Sequence, residues 1–449
     1  MKKTIIACLH TAALLLAALA LPASAGVPIQ HWTTAQGTRV YFVESHTLPL
    51  VDLQVDLAAG SARAPAEKPD VASFTRALLP LGAGSLDENQ IANQLADLGA
   101  QLGGSSDADR SNLSLRSLSA AEQLEPALAL VRTLLGQPRF DEKVLERERE
   151  RSIAGLKDAL TRPETQLSRA FWGKVYSGHP YGRLSTPEGL ASISSADLRA
   201  FWQQNYIAQR ASITLVGDLS RAQAERIANE LAAALPQGQA TATAALPAPA
   251  PTTASTVRIA HPASQSHIAL GLPAIPRGHP DFFPLMVGNY ALGGGGFVSR
   301  LTKEVRDARG YAYSVYSYFS PMQAGGPFQI GLQTKREQSE AALKVVNQVL
   351  ADFLRTGPTA SEIKAAKDNI VGGFPLRLDS NRKLLEQVAV IGFYGLPLDW
   401  LDTYTDRINK VTAADIRAAF ARWVDPARLV TVIVAGDESA SAAKDSQAQ

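Results

Sequence analysis

The sequence predicts an α+β protein made of two copies of one unit, and three observations carry that reading. First, "ISSADLRAFWQQNYIAQRASITLVGD" (193–218) recurs as "VTAADIRAAFARWVDPARLVTVIVAGD" (411–437), each a capped amphipathic helix running into an apolar strand that ends at Gly-Asp. Second, short alternating strands and long helices come in blocks, the pattern of helices packed on one face of a largely antiparallel sheet. Third, an uncharged Pro/Ala/Thr-rich segment, "LPQGQATATAALPAPAPTTAST" (235–256), separates the copies. It has no apolar period with which to fold, so it reads as a flexible linker, semi-extended where its prolines cluster.

Taken in chain order, residues 1–25 read as a secretory signal. They have two lysines, a short Ala-rich apolar run and a small-x-small ending at Ala23-Ser24-Ala25, which places cleavage before Gly26. A retained N-terminal anchor helix is the alternative, without the stop-transfer pattern such an anchor carries. Cys8 is the only cysteine, so the mature chain has none, which excludes disulfides, cysteine nucleophiles and Cys-zinc sites and fits export to a bacterial periplasm. The first domain, 26–234, opens with the alternating strands "TRVYFVES" and "LVDLQVDL" and contains the strand "SNLSLRSL", a helix over 124–135 and the helix "FDEKVLERERERSIAGL". The second domain, 257–440, repeats the order with "HIALGL", "FQIGLQTK", a helix over 339–354 and "TASEIKAAKDNIVGGF". The duplication has a period near 218 residues. Residues 441–449 read as a disordered tail.

Composition narrows the function classes. With 46% hydrophobic and 19% charged residues the chain can bury large cores. Its 44 basic and 42 acidic residues balance once Lys2 and Lys3 leave with the signal, so no global field attracts nucleic acid or anionic lipid. No stretch after the signal is long and apolar enough to cross a membrane.

Candidate chemistry is sparse. None of the seven histidines falls in HExxH, HxxEH or a helical i,i+4 pair. The nearest pair, His261 and His267, flank and enter a strand, where a spacing of six puts them about 20 Å apart, too far for one metal ion. His179 in "SGHPYGR" reads as a turn-fixing residue. The run Gly293–Gly296 lacks the Lys-Ser/Thr of a phosphate loop, and a helix precedes it where a dinucleotide site has a strand. No serine sits in a nucleophile elbow. The richest segment is "GGGGFVSRLTKEVRDARGYAYSVYSYF". There a helix from about Val298 to Ala308 should bury Leu301 and Val305, with Arg306 off the centre of that stripe. Past Gly310, strict alternation places Tyr311, Tyr313 and Val315 on one strand face and Ala312, Ser314 and Tyr316 on the other. An arginine ending a helix and a tyrosine on the next strand can converge on one carbonyl.

These segments, with "HPYGRLSTPEGLASISSADLRAFWQQNYIAQRASITLVGD" in the first half, resemble peptidase family M16, the insulinase or pitrilysin family. The resemblance covers nearly the whole chain after the signal, and it implies two homologous domains forming half of a clamshell. Active members bind zinc through HxxEH on a first-half helix and a glutamate nearly eighty residues later. Aligned on that motif, "DVASFTRALL" has Ser73, Arg76 and Ala77 at its three positions, and "LERERERSIAGLKDA" has Gly155 at the later one. The resemblance thus implies no metal and no catalytic residue of this chain's own. It further implies that Arg306 and Tyr313 match the family's substrate-binding pair, which hydrogen-bonds the peptide near its scissile carbonyl. Some M16 enzymes divide the work between a chain with the zinc and a chain with the Arg/Tyr pair. By that likeness the protein is the zinc-less subunit of a periplasmic heterodimeric metallopeptidase that acts on unfolded peptides, with zinc supplied by an HxxEH partner. The alternative is a structural or peptide-binding relative with no part in proteolysis, as in respiratory-complex core subunits.

Overall fold

The computed structural model describes residues 26–238 and 245–435. The segment read as a signal, residues 239–244 of the linker, and the end of the second domain with its tail lie outside the described residues.

The first half builds a six-stranded sheet from β1 (Gln30–Thr33), β2 (Arg39–Glu44), β3 (Leu50–Leu57), β6 (Gln101–Gly103), β7 (Ser111–Leu118) and β8 (Ala211–Gly217), in the order β1-β2-β8-β3-β7-β6. The tiny hairpin of β4 (Gly82–Ala83) and β5 (Leu86–Asp87) stands apart. The second half builds a five-stranded sheet from β9 (Ser255–Ala260), β10 (Gln265–Pro273), β11 (Ala312–Phe319), β12 (Pro327–Lys335) and β13 (Val430–Ala435), in the order β11-β12-β10-β13-β9. Apart from β1, the two orders are the same, strand for strand. In each, the last strand of the half pairs in parallel with the first of the shared set, β8 with β2 and β13 with β9, and all other pairs are antiparallel.

The helices of the first half are α1 (Val71–Leu78), α2 (Glu88–Asp97), α3 (Ala121–Gly136), α4 (Glu142–Ala159), α5 (Pro163–Val175), α6 (Pro187–Ala191), α7 (Ser195–Asn205) and α8 (Arg221–Ala234). Those of the second are α9 (Phe282–Asn289), α10 (Ser339–Thr356), α11 (Ala360–Gly373), α12 (Asn381–Tyr394), α13 (Tyr404–Lys410) and α14 (Ala413–Trp423). The recurring unit keeps its start signal at atomic detail. Ser194 and Asp197 close a capping box at α7, and Thr412 and Asp415 close the same box at α14. Each satisfies two otherwise unpaired helix-start donors and fixes where the helix begins.

Alternation along the strands explains the first layer of packing. On β3, Val51, Leu53, Val55 and Leu57 face the first core, which α3, α7 and α8 complete with Leu128, Val131, Leu198, Phe201 and Ile227. In the second half, Ile268, Leu270 and Leu272 of β10 meet Phe328, Ile330, Phe353 and Phe420.

The opposite sheet faces correct the expectation of helices on one face only, because each half lends a helix to the other. Helix α12 of the second half lies across β8, β3 and β2, packing Leu385, Val388 and Ile391 on Tyr41, Val43 and Val216. Helix α5 of the first half lies across β13 and β10, packing Phe171 and Val175 on Ala269, Val430 and Val432. A glycine permits each approach. A methyl group at Gly392 would stand 2.6 Å from the Tyr41 ring, and one at Gly271 would stand 2.6 Å from the Phe171 ring.

Between the exchanged helices, buried Asp109 ties the halves together. Its carboxylate accepts from the Tyr181 hydroxyl of the first half, and from the Tyr394 hydroxyl (2.9 Å) and the Gln323 N–H (2.8 Å) of the second. The described part of the inter-domain segment is held as well. His179 Nε2 donates to the Pro247 carbonyl at 2.8 Å, Ala254 N–H donates to the Ala427 carbonyl, and β9 already begins at Ser255.

Candidate functional site

Helix α1 buries Val71, Ala72, Phe74, Thr75 and Leu78 and leaves Ser73 and Ala77 exposed. An i,i+4 spacing puts those two on one face, so the face that would hold two metal ligands is open, and its residues supply none. The Ser73 hydroxyl is spent on the Asp70 carbonyl at 2.9 Å. Ala77 has no donor atom. Between them Arg76 carries a positive charge, its Nε directed at the Asn112 carbonyl at 3.3 Å. Burial pulls the Arg76 guanidinium below its ordinary pKa, opposed only by the nearby Tyr206 phenol. On α4, Gly155 is exposed, and a side chain built there would meet nothing within 4 Å. The fold has room for a ligand at 155, but the residue there cannot be one. Among the described residues no group of three His, Cys, Asp or Glu side chains could hold a metal ion. The donor chemistry of these four positions does not fit zinc.

The histidines singled out in the sequence offer no ligand pair either. His179 caps a short helical turn, its Nδ1 accepting from Tyr181 N–H, as a turn-fixing residue does. His261 and His267 do not share a strand as expected, because the chain reverses between β9 and β10, and these two strands flank β13. His267 is buried and His261 bonds the Thr161 carbonyl at 2.8 Å, so neither offers a free ligand pair. Burial lowers the pKa of His267, which keeps it neutral at pH 7.

The second-half segment is better furnished. The glycine run after α9 is a close-packed turn. Methyl groups at Gly293, Gly294 and Gly295 would stand 2.4 to 2.6 Å from Ser317, Asn289 and Tyr290. The fourth, Gly296, has φ of 59°, which favours glycine. Asn289 and Ser317 lock this turn onto β11 with reciprocal hydrogen bonds of 2.9 and 2.6 Å. The turn projects Phe297 into solvent, 71% exposed, and then enters the helical segment that buries Leu301 and Val305, as the apolar stripe requires. Arg300 anchors that segment to α11 through a two-point bond with Glu362 at 2.8 and 2.7 Å. The last part, Thr302–Asp307, winds as a wider π-type turn, and Arg306 emerges from it.

Strict alternation fails on β11. Ala312 pairs with Thr334 and Val315 with Leu332, so three steps on β11 match two on β12, a β-bulge at Tyr313 and Ser314. Val315 therefore returns to the buried face with Ala312, and Tyr313 stands outside it at 85% exposure. The bulge aims Tyr313 at Arg306, whose guanidinium carbon lies 5.0 Å from the Tyr313 ring centre and 4.7 Å from that of Phe297. The cation is held against two aromatic faces, with Asp307 the one carboxylate within 4.0 Å among the described residues, at 3.9 Å. The sequence reading paired Arg306 with Tyr313 but missed Phe297. An exposed phenylalanine directly after a glycine turn was the available signal. Beside this group a cleft of about 330 Å³ runs between α5 and the outer face of β10, β12 and β11, lined by Trp172, Tyr316, Tyr318, Gln329 and Gln333.

Comparison with known proteins gives this geometry a family. Residues 39–184 match the family profile described as Insulinase (Peptidase family M16), and residues 192–370 match that of the Peptidase M16 inactive domain. A crystal structure of a peptidase M16 inactive domain from Pseudomonas fluorescens superposes with a TM-score of 0.87 at 38% identity, covering 91% of this chain and 98% of that one. A Bacillus subtilis protein named uncharacterized zinc protease YmxG is 26% identical over 86% of this chain and 93% of its own length. A Helicobacter pylori protein named non-peptidase homolog YmxG is 25% identical over 84% and 87%. The chain belongs to peptidase family M16, the insulinase family.

Proposed function

We propose that this protein is the zinc-less, substrate-binding subunit of a periplasmic M16 metallopeptidase, working with a second chain that carries HxxEH and its zinc. The observation that carries the reading is the contrast between its two candidate sites. The zinc positions Ser73, Arg76, Ala77 and Gly155 hold no metal donor, whereas Arg306 is held between Phe297 and Tyr313 on an open surface. A chain kept only as a scaffold has no use for a partly exposed cation set against two exposed aromatic rings. The non-peptidase name of the Helicobacter pylori relative supports the first half of the contrast.

In this reading Arg306 and Tyr313 donate hydrogen bonds to a peptide carbonyl whose oxygen gains negative charge as its carbon is attacked. A guanidinium and a phenol suit that work, since both donate and the guanidinium keeps its charge at any physiological pH. Donors positioned in advance strengthen as the charge develops, which lowers the barrier more than it tightens ground-state binding. Zinc in the partner would supply the activated water. Residues 1–25 direct export, and the mature chain meets its partner in the periplasm.

The test is co-expression with an HxxEH-bearing M16 chain from the same genome, followed by size-exclusion chromatography and peptide-turnover assays. A one-to-one complex that cleaves an unfolded peptide, with this chain alone inert and free of stoichiometric zinc, is expected. A stable homodimer with no such partner, or a complex whose turnover is indifferent to this chain, returns the protein to the structural or peptide-binding class.

A further inference from the structure

Arg76 is seated in a way that loss of a zinc site does not explain. Its guanidinium lies against Gly104, in the loop that follows the edge strand β6. Gly104 has φ of 139°, and a methyl group there would come within 2.6 Å of Arg76 Nη2 and 2.2 Å of the Asn112 carbonyl oxygen. The loop is thus shaped around the cation. Asn112 holds that loop in place, its Oδ1 accepting from Ser105 N–H at 3.1 Å and its Nδ2 donating to Ser105 Oγ at 3.0 Å. The one hydrogen bond of Arg76 among the described residues is the 3.3 Å contact from Nε to the Asn112 carbonyl.

Other partly covered arginines of this chain have their donors engaged, Arg39, Arg169 and Arg183 by backbone carbonyls and a further set by carboxylates. Arg110 pairs with Asp56, Arg116 with Asp52 at two points, and Arg300 with Glu362 at two points. Arg76 meets none among the described residues, and its two Nη groups are left without a protein acceptor there. A partly desolvated guanidinium with its fork unfilled is a receptor for a planar anion, because a carboxylate matches the spacing of two parallel N–H donors. Arg76 is itself only partly covered, and its neighbours Ser73 and Ala77 on α1 are exposed.

We propose that the former zinc helix of this chain carries a carboxylate-binding site centred on Arg76, with the carboxylate of a peptide as its ligand. The inference rests on the reading that this chain binds peptides, and it adds a substrate preference that the Arg306 and Tyr313 pair does not provide. The site exchanges a metal-centred attraction for substrate for a charge-assisted hydrogen-bonded one at the same place on the fold. Both a free peptide C-terminus and an acidic side chain offer the required group.

The experiment measures binding of a labelled, unstructured, otherwise uncharged decapeptide to the mature full-length chain by fluorescence anisotropy. Three forms are compared: free C-terminal acid, C-terminal amide, and the amide with one internal glutamate. The free acid should bind about tenfold more tightly than the amide, the scale of one partly solvated charge-assisted bond. Arg76→Gln should abolish that difference, and Arg76→Lys, which keeps the charge and loses the fork, should retain part of it. If the internal glutamate restores the affinity, acidic side chains are ligands; if it does not, the site reads chain ends. Removing an unpaired cation should leave the melting temperature unchanged or raise it, which separates a binding role from a packing role. Equal affinities of all three forms for the wild type and Arg76→Gln, with peptide still bound, overturn this inference and leave the peptide-binding reading intact. Failure of every form to bind either chain overturns both.

Discussion

Asp109 offers the most direct test of how the two halves hold together. The carboxylate is 2% exposed and accepts three hydrogen bonds, two from the second half. The hydrogen bond from Tyr394 to a charged acceptor is worth about 1.5–3 kcal/mol, so Tyr394→Phe should cost about 2 kcal/mol. Asp109→Asn keeps one acceptor oxygen and points an amide at a phenol. Tyr181 already accepts from Ala324 N–H at 3.0 Å and needs to donate, so its hydroxyl proton is stranded. With that bond lost and the other two weakened, the expected cost is about 3 kcal/mol. The double variant should cost less than the sum of the two, by about 1 kcal/mol, because both act on one network. Equilibrium urea unfolding, followed by tryptophan fluorescence and far-UV circular dichroism, measures each value. Trp32 and Trp202 report on the first half, Trp423 on the second, and Trp172 and Trp400 on the contacts between them. The wild type should unfold in one coincident transition. A cost below 0.5 kcal/mol for Asp109→Asn, set against the roughly 3 kcal/mol expected, or two separated wild-type transitions, would refute the claim that the halves form one cooperative unit.

In the reconstituted pair, Arg306→Ala and Tyr313→Phe should each lower kcat about 10²–10³-fold with little change in KM or assembly, and wild-type turnover in both removes the pair from catalysis. Phe297→Ala should cost about fivefold, since it frees one side of a cation that Tyr313 still holds; an effect as large as that of Arg306→Ala would mean that Phe297 touches substrate itself. Burial, opposed by Arg110 and Gln54, pushes the Asp56 carboxyl up to about 6. A raised acid destabilises the folded state above pH 6 and is relieved as pH falls from there toward its unfolded value, so Asp56→Asn should lose about 1 kcal/mol relative to wild type between pH 8 and pH 5. Unfolding curves at both pH values that keep the same difference exclude that role. Because Ser73 and Ala77 share an open face and 155 has free space, the fourfold variant Ser73→His, Arg76→Glu, Ala77→His, Gly155→Glu should retain about one zinc per chain through gel filtration, by elemental analysis; a metal-free product means the backbone has drifted from ligand geometry.

The duplication and the capped helices were legible because each is a local pattern or a fixed spacing. Ser194 with Asp197 and Thr412 with Asp415 announce two helix starts without tertiary help. The second face of each sheet was not legible. "LVDLQVDL" alternates as a half-solvated strand does, yet Asp52, Gln54 and Asp56 are all buried, because a helix more than 320 residues further along covers them. No local period reports a cover that distant. The bulge at Tyr313 and Ser314 was hidden for a related reason. Pairing register is a property of two strands, and "GYAYSVYSYF" by itself fits an unbroken period of two.

The exchanged helices also set an order of events in folding. The sheet of the first half cannot be covered until residues 381–394 have emerged, and the second half waits on its own last strand, β13. Neither half reaches its final form during synthesis, so folding is dominated by contacts between distant parts of the chain and should be slow. A protein of this kind stays loose while it is being made. The same delay leaves two strand faces uncovered while the rest of the chain is made, so the unfinished chain is prone to aggregate until both exchanged helices have docked.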